Sequence, residues 1–259
     1  MRGHGVIAVT IPSEDDGPTI REWNSPGIGR LTSFEVDCRL EIEAKVQVIS
    51  SQASSSAKAK LRNAIRSLTR QCPSLLTCDV QIDIRWWAPL KDRYESDSSA
   101  DVDNIIKPVI DAISGPEGIL VNDCQLQSIS SFWVTAQEHH SLDIVVKPFD
   151  QSVILKRHIV FVESMPRLYF PFDDLLPSGF NIRLLDMLVS TVEHRRSMEA
   201  DGFDYSTISY MMPQQRFFHR TRVSDFRRMT MAEYRAELLA RSDCDIQTTS
   251  GTRPDGDAA

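Results

Sequence analysis

Between residues 34 and 48 the chain alternates. Phe34, Val36, Cys38, Leu40, Ile42, Ala44, Val46 and Val48 are apolar, and every position between them is charged or polar. A period of two lays one face against a core, so it predicts a half-buried strand or strand hairpin. After a Ser-rich loop over residues 50–56 the spacing changes to three and four. Leu61, Ala64, Ile65 and Leu68 form an apolar stripe that predicts a helix over 57–70, closed before Pro73. Val80, Ile82, Ile84 and Trp86 restore the alternation and predict a second strand running into Trp87-Ala88-Pro89. Residues 91–100 are polar and aperiodic, as in a loop. A further helix is predicted over 104–113, stopped by Gly115; Pro108 requires that it sit in the first turn or kink the helix. Short apolar runs at 119–121, 129–134 and 142–146 predict the remaining strand segments of this region.

The rest of the chain has a different texture. Residues 153–163 predict a strand, and 182–198 an amphipathic helix with Asn181 as N-cap and Leu184, Leu185, Leu188 and Val192 on its apolar side. Thr230-x-x-Glu233 is a capping box that opens a last helix, and the tail from Ser242 reads as disordered. Residues 1–33 mix Gly, Pro, Ser and acids without a period and read as a partly disordered extension around Trp23. Three regions follow: an extension over 1–33, a strand-and-helix domain over 34–149, and a mainly helical region over 150–259. No internal repeat is present.

Composition narrows the class. With 259 residues, 41% hydrophobic and 25% charged, the chain is an ordinary globular one, long enough to bury a core unaided. It lacks the run of about 18 apolar residues that a membrane-spanning helix needs, and its start lacks a secretory signal, so no membrane association and an intracellular, cytoplasmic location are expected. The five cysteines are odd in number and include no C-x-x-C pair, which argues for free thiols rather than a zinc site or a disulfide framework. A net charge of −7 gives no bulk attraction to nucleic acid, but a local basic face suffices for such binding. One candidate is the predicted helix over 57–70, where Lys58, Arg62, Arg66 and Arg70 recur every four residues. That face is either simply solvated or a contact for a phosphate backbone. A second basic stretch, Arg216 to Arg228 with Phe217, Phe218 and His219, reads as a surface helix or partner interface, or as a nucleic-acid contact.

The chemistry concentrates in Asp101-Val102-Asp103-Asn104-Ile105-Ile106-Lys107-Pro108-Val109-Ile110-Asp111. Two carboxylates two residues apart on a segment entering a helix repel each other, and a hard dication with oxygen ligands relieves that repulsion. Lys107 stands one turn further on, positioned for a phosphate oxygen or for a simple pair with Asp111. Asp123 follows the apolar run 119–121, whose end can return a third acid to the first two. The plainer alternative makes Asp101 loop polarity, Asp103 or Asn104 a helix cap, and Asp123 part of a turn.

The stretch from Asp101 to Ile113, followed by Gly118-Ile119-Leu120-Val121-Asn122-Asp123-Cys124-Gln125-Leu126, resembles the RusA family of Holliday-junction endodeoxyribonucleases. The family pattern is D-x-D-N-x-x-K-x-x-x-D, a short gap, then G-hydrophobic-hydrophobic-x-D-D-x-Q. The resemblance covers about residues 34–149. It implies an α/β fold of mixed α+β type, a small sheet with flanking helices, here joined to the C-terminal extension. It also implies that Asp101, Asp103 and Asp123 are essential acids binding Mg2+, that Lys107 is catalytic or phosphate-contacting, and that a homodimer cuts branched DNA. Asn104, Asp111 and Gln125 fall on patterned positions with structural or secondary roles. Lys58, Arg62, Arg66 and Arg70 would then follow the DNA backbone. One departure stands out: the family's Asp-Asp pair is Asn122-Asp123 here. That loss supports an alternative in which the protein binds DNA structure without cutting it and recruits a partner through its C-terminal region.

Overall fold

The computed structural model describes residues 20–34, 37–96, 100–210 and 216–250. The predicted alternation at 34–48 is the second half of a hairpin meander. Strands β1 (Ile20–Ser25), β2 (Gly29–Phe34) and β3 (Arg39–Ala44) pair antiparallel in sequence, with Cys38 at positive φ in the turn before β3. The boundary expected at residue 33 therefore falls inside β2. Residues 20–33, read as extension, contribute two strands; their exposed, polar edge carries little periodicity. Val36 and residues 1–19 lie outside the described residues.

The sheet continues with β5 (Val80–Pro89), β6 (Leu126–Ala136) and β7 (Ser141–Pro148) in the order β1-β2-β3-β7-β5-β6. Only β5 and β6 are parallel, as expected where the connection between them passes through a helix. That connection holds α2 (Leu90–Tyr94), within the stretch expected to be loop, and α3 (Val102–Ile113). Helix α1 (Ser55–Thr69) packs beside α3 over one face of the sheet. Leu61, Ile65 and Leu68 from α1 and Ile105, Val109 and Ile113 from α3 meet Ile42, Ile82, Ile84 and Ile144 in one buried cluster. These are the positions that the two periods select.

Pro108 lies in the middle of α3, where neither a first-turn position nor sequence periodicity accounts for it. Lacking an N–H, it leaves the Asn104 carbonyl without its helical partner. The Ser51 N–H takes that acceptor at 2.7 Å, and the Ser51 hydroxyl bonds Asn104 Oδ1 at 3.0 Å. The gap in the α3 ladder thus becomes the docking point for the loop that starts α1.

The C-terminal unit carries helices α4 (Ser178–Ala200), α5 (Tyr205–Ser209) and α6 (Met231–Ser250), and also a second sheet. Its strands are β9 (Ile159–Met165), β10 (Leu168–Asp173), β11 (Phe218–His219) and β12 (Arg228–Thr230), in the order β11-β10-β9-β12. The strand expected over 153–163 is divided by a turn into β9 and a short β8 (Val153–Leu155), which pairs with β4 (Ser74–Leu76) of the first unit. β9 is apolar on both faces. Val160 and Val162 pack with Phe172, Leu185, Leu188, Tyr234 and Leu238, while Ile159 and Phe161 pack with Leu75 and Val121 of the first unit. A strand buried on both sides shows no alternation. The Thr230–Glu233 capping box forms as expected. Asn181 does not cap α4; the helix starts earlier, after Pro177, and buried Asn181 donates to the Asp173 carbonyl at 2.9 Å. Residues 242–250, expected to be disordered, extend α6, and the tail beyond them lies outside the described residues. Cys72, Cys78 and Cys124 are free thiols. Among the described residues no helix is long and apolar enough to cross a membrane.

The join between the units contains a half-buried cation, Lys156. The Lys156 N–H bonds the Pro73 carbonyl at 2.8 Å and its Nζ the Thr69 carbonyl at 2.5 Å. Desolvation pushes the ammonium down to about 8, against the opposing pull of Cys72 and Glu117. Between that value and the ordinary 10.5 the unfolded chain holds a proton that the folded chain has lost, so stability from this group rises with pH in that window. Urea denaturation should show wild type gaining on the Lys156→Met variant by on the order of 2 kcal/mol from pH 7 to 10.5. A pH-independent difference would contradict the half-buried position.

Candidate active site

α3 presents its polar residues along one line. Asp103, Lys107 and Asp111 are spaced by four, so they share a face while Ile105, Val109 and Ile113 point into the core. Asp101 occupies the N-cap position, but its side chain makes no cap hydrogen bond. Asp103 sits exposed in the first turn, and neither carboxylate is paired with another described residue. The capping role expected of Asp103 or Asn104 is thus taken up by neither: Asp101, expected as loop polarity, holds the N-cap position, and Asn104 instead bonds Ser51.

The third acid is returned by a tight reversal. Gly115 has φ +96°, and a Cβ on Gly118 would stand 2.1 Å from the Ile113 carbonyl oxygen, so both positions require glycine. The Ile119 N–H then bonds Ile113 at 2.8 Å, and the buried run Ile119–Leu120–Val121 carries the chain to a short helical turn at Asp123–Gln125. Asn122 caps this turn, accepting from the Cys124 N–H at 3.1 Å. Gln125 is fully buried beneath it. Its amide donates to the Leu76 and Cys78 carbonyls at 2.9 and 2.7 Å, and its oxygen accepts the Asn122 N–H at 3.0 Å.

So held, Asp123 meets α3. Lys107 Nζ donates to Asp123 Oδ2 and pairs with Asp111 Oδ1, both at 2.7 Å. The pairing with Asp111 and the approach to the third acid are therefore realised together. On Lys107 desolvation acts to lower the pKa, but the two carboxylates outweigh it and leave the ammonium above its usual value. The Lys107 hydrogen bond in turn holds the Asp123 carboxyl below the usual carboxylate range, with help from Arg222.

Beside Lys107 a cavity of about 240 Å³ opens between α1 and α3, lined by Ser51, Ser55, Lys58, Arg62, Lys107 and Asp111. It divides the basic face of α1 in two. Lys58 and Arg62 border the cavity without an acidic partner among the described residues. Arg66 and Arg70 are engaged by Glu117 in the reversal after α3: Arg70 Nε at 2.6 Å and Arg66 Nη1 at 3.3 Å, with Arg66 also donating to the Ser114 carbonyl. Half of the stripe faces open space and half braces the turn that returns Asp123.

Carboxylate oxygens are the donors a hard dication takes, and Asp101 and Asp103 are unengaged, so the acids fit such an ion in kind. They are not assembled around one. Among the described residues no three His, Cys, Asp or Glu side chains stand close enough together to hold a metal. Both oxygens of Asp123 are instead occupied by cations, Lys107 and Arg222.

Arg222 was legible only as part of an Arg-and-aromatic cluster. In that cluster Phe218 packs inward and Arg216, Arg222 and Arg227 engage groups of the protein itself, while His219, Arg220 and Arg228 stay exposed. Arg216 reaches Asp79 at 2.5 Å and the Cys124 carbonyl at 2.6 Å, and Arg227 pairs with Asp174 and Glu237. Phe218 is fully buried. The advance signal was a local crowding of arginines; the partners of Arg222, Asp123 and the Asn122 amide, lie 99 and 100 residues away.

Residues 38–147 match the family model described as endodeoxyribonuclease RusA. A search of curated proteins gave no match. The match ends before the C-terminal unit and includes Asp101, Asp103, Lys107 and Asp123.

Gln125→Ala should cost about 3 kcal/mol in urea unfolding, since it leaves two buried carbonyls and one N–H unpaired. A change below about 1 kcal/mol would show that the Asn122–Gln125 turn does not depend on this amide.

Proposed function

Because residues 38–147 are a RusA-family domain, we propose that the protein is a Mg2+-dependent endodeoxyribonuclease acting on branched DNA, with four-way junctions as substrate and a homodimer as the working form. The observation that carries this reading is the place of Lys107. It stands between the carboxylate of Asp123 and a cavity edged by Lys58 and Arg62, which have no acidic partner among the described residues, so one ammonium can serve both a phosphate and the acidic edge. Asp101, Asp103 and Asp123 would hold Mg2+, which when bound supplies Lewis-acid activation of the phosphate and an attacking hydroxide near neutral pH.

The chain's own groups perform the rest. The ammonium of Lys107 has three N–H donors, two of them committed to Asp111 and Asp123, and the third is left for a non-bridging phosphate oxygen. There it opposes the negative charge that builds on the phosphate. Lys58 and Arg62 bind flanking phosphates without reading bases, and the Ser55 hydroxyl at the cavity edge adds a neutral donor. A two-fold dimer sets two such sites on opposed strands of a two-fold junction.

The test is cleavage of a labelled four-way junction with Mg2+, beside linear duplex. Wild type should give paired symmetric nicks that EDTA abolishes. Asp103→Asn should give none, and Lys107→Met should cut about 100-fold more slowly. The Lys58→Gln/Arg62→Gln double variant should reduce the log–log salt dependence of junction binding by about 2, one unit per lost phosphate contact. Binding without cutting by wild type would favour the non-catalytic reading, which the double engagement of Asp123 and the amide at Asn122 support. Absence of both binding and cutting would overturn the proposal.

A further inference from the structure

Asp123 is the one candidate ligand already spoken for on both oxygens, and one of its two partners comes from outside the RusA domain. Arg222 Nη1 donates to Asp123 Oδ1 at 2.7 Å and to Asn122 Oδ1 at 2.5 Å. The contact is mounted rigidly at both ends. Arg222 ends a short helical turn, Arg220–Arg222, whose Arg220 N–H bonds the Arg167 carbonyl at 2.8 Å. The next residue, Val223, is fully buried in the same apolar cluster as Phe218, Leu75 and Val121. Val121 immediately precedes the Asn122–Asp123 pair. The root of the arginine and its target therefore rest on one packed cluster, and Arg216 fastens the same turn through the Cys124 carbonyl. The Arg222 side chain stays 41% exposed, so the pair is wet and can exchange.

We propose that Arg222 is a positioning residue that sets the metal affinity of the site: a tethered cation, supplied by the C-terminal unit, that competes with the divalent ion for Asp123. The inference rests on the reading of Asp101, Asp103 and Asp123 as metal ligands. A dication approaching Asp123 Oδ1 meets a positive charge already hydrogen-bonded to that oxygen, and the two repel at contact distance. Arginine suits the role because its guanidinium reaches the side-chain oxygens of both Asn122 and Asp123. The C-terminal unit then fixes how much divalent metal the nuclease domain requires. A purely structural staple would act in the opposite sense, since removing it loosens the turn and weakens ligation.

The test is Mn2+ binding to the full chain, read from the free-Mn2+ electron paramagnetic resonance signal. It compares wild type, Arg222→Gln, Arg222→Met, Asp103→Asn and the Arg222→Gln/Asp123→Asn pair, each checked by thermal melting. Loss of one competing ion pair at a partly exposed site should tighten Mn2+ binding about five-fold in both Arg222 variants. The effect should vanish when Asp123 is asparagine. Unchanged or weaker binding in the Arg222 variants, with Asp103→Asn still abolishing it, would overturn the competition alone. Absence of Mn2+ binding in every protein, the Arg222 variants included, would overturn the reading of the acids as ligands and the competition with it.

Discussion

Beneath Asp123 lies an amide that cannot be moved without cost. Gln125 is fully buried, and all three of its hydrogen bonds go to backbone groups: two carbonyls at the end of β4 and just after it, and the N–H of Asn122. A buried polar group with its partners satisfied is neutral or slightly favourable, and unsatisfied it costs several times more. The turn carrying Asp123 is therefore set by the chain beside it, independently of any charge. Everything else reaches toward that fixed point: Lys107 from α3, Arg222 and Arg216 from the C-terminal unit, and the glycine-dependent reversal braced by Arg66 and Arg70.

The same economy governs the other wall. Pro108 removes one bond from α3, and the freed carbonyl draws in Ser51, which places the start of α1 beside Lys107. The cavity between the two helices follows from that gap. Its basic rim also follows, because α1 carries its cations at every fourth residue and only the first two of them lie clear of Glu117.

Much of this was legible in the residues. The period-two runs became β3 and β5 and the three-and-four run became α1, because in each case one face is buried and the other wet; the apolar run at 142–146 became β7, and the helix expected over 104–113 became α3. The acids, Lys107 and the family resemblance came from a local motif whose spacing survives in the fold. What was not legible depends on distance or on symmetry of burial. β9 is apolar on both faces and so has no alternation to read. β1 and β2 lie at an exposed edge of the sheet. Asn181 looked like a cap because local spacing cannot show that a strand carbonyl waits for its side chain. Arg222 acts on residues 99 and 100 positions away, and no local pattern announces such a partner.

The appended unit thus supplies one of the two cations on Asp123, and the proposal built on it is that Asp101, Asp103 and Asp123 gather around a divalent ion once Arg222 gives way. The most direct measurement is an anomalous difference map from crystals of the full chain grown with Mn2+. The account predicts a peak touched by Asp101, Asp103 and Asp123, with the Arg222 guanidinium displaced from Asp123. Anomalous density absent from these acids, or present while Arg222 still sits on Asp123 Oδ1, would contradict it.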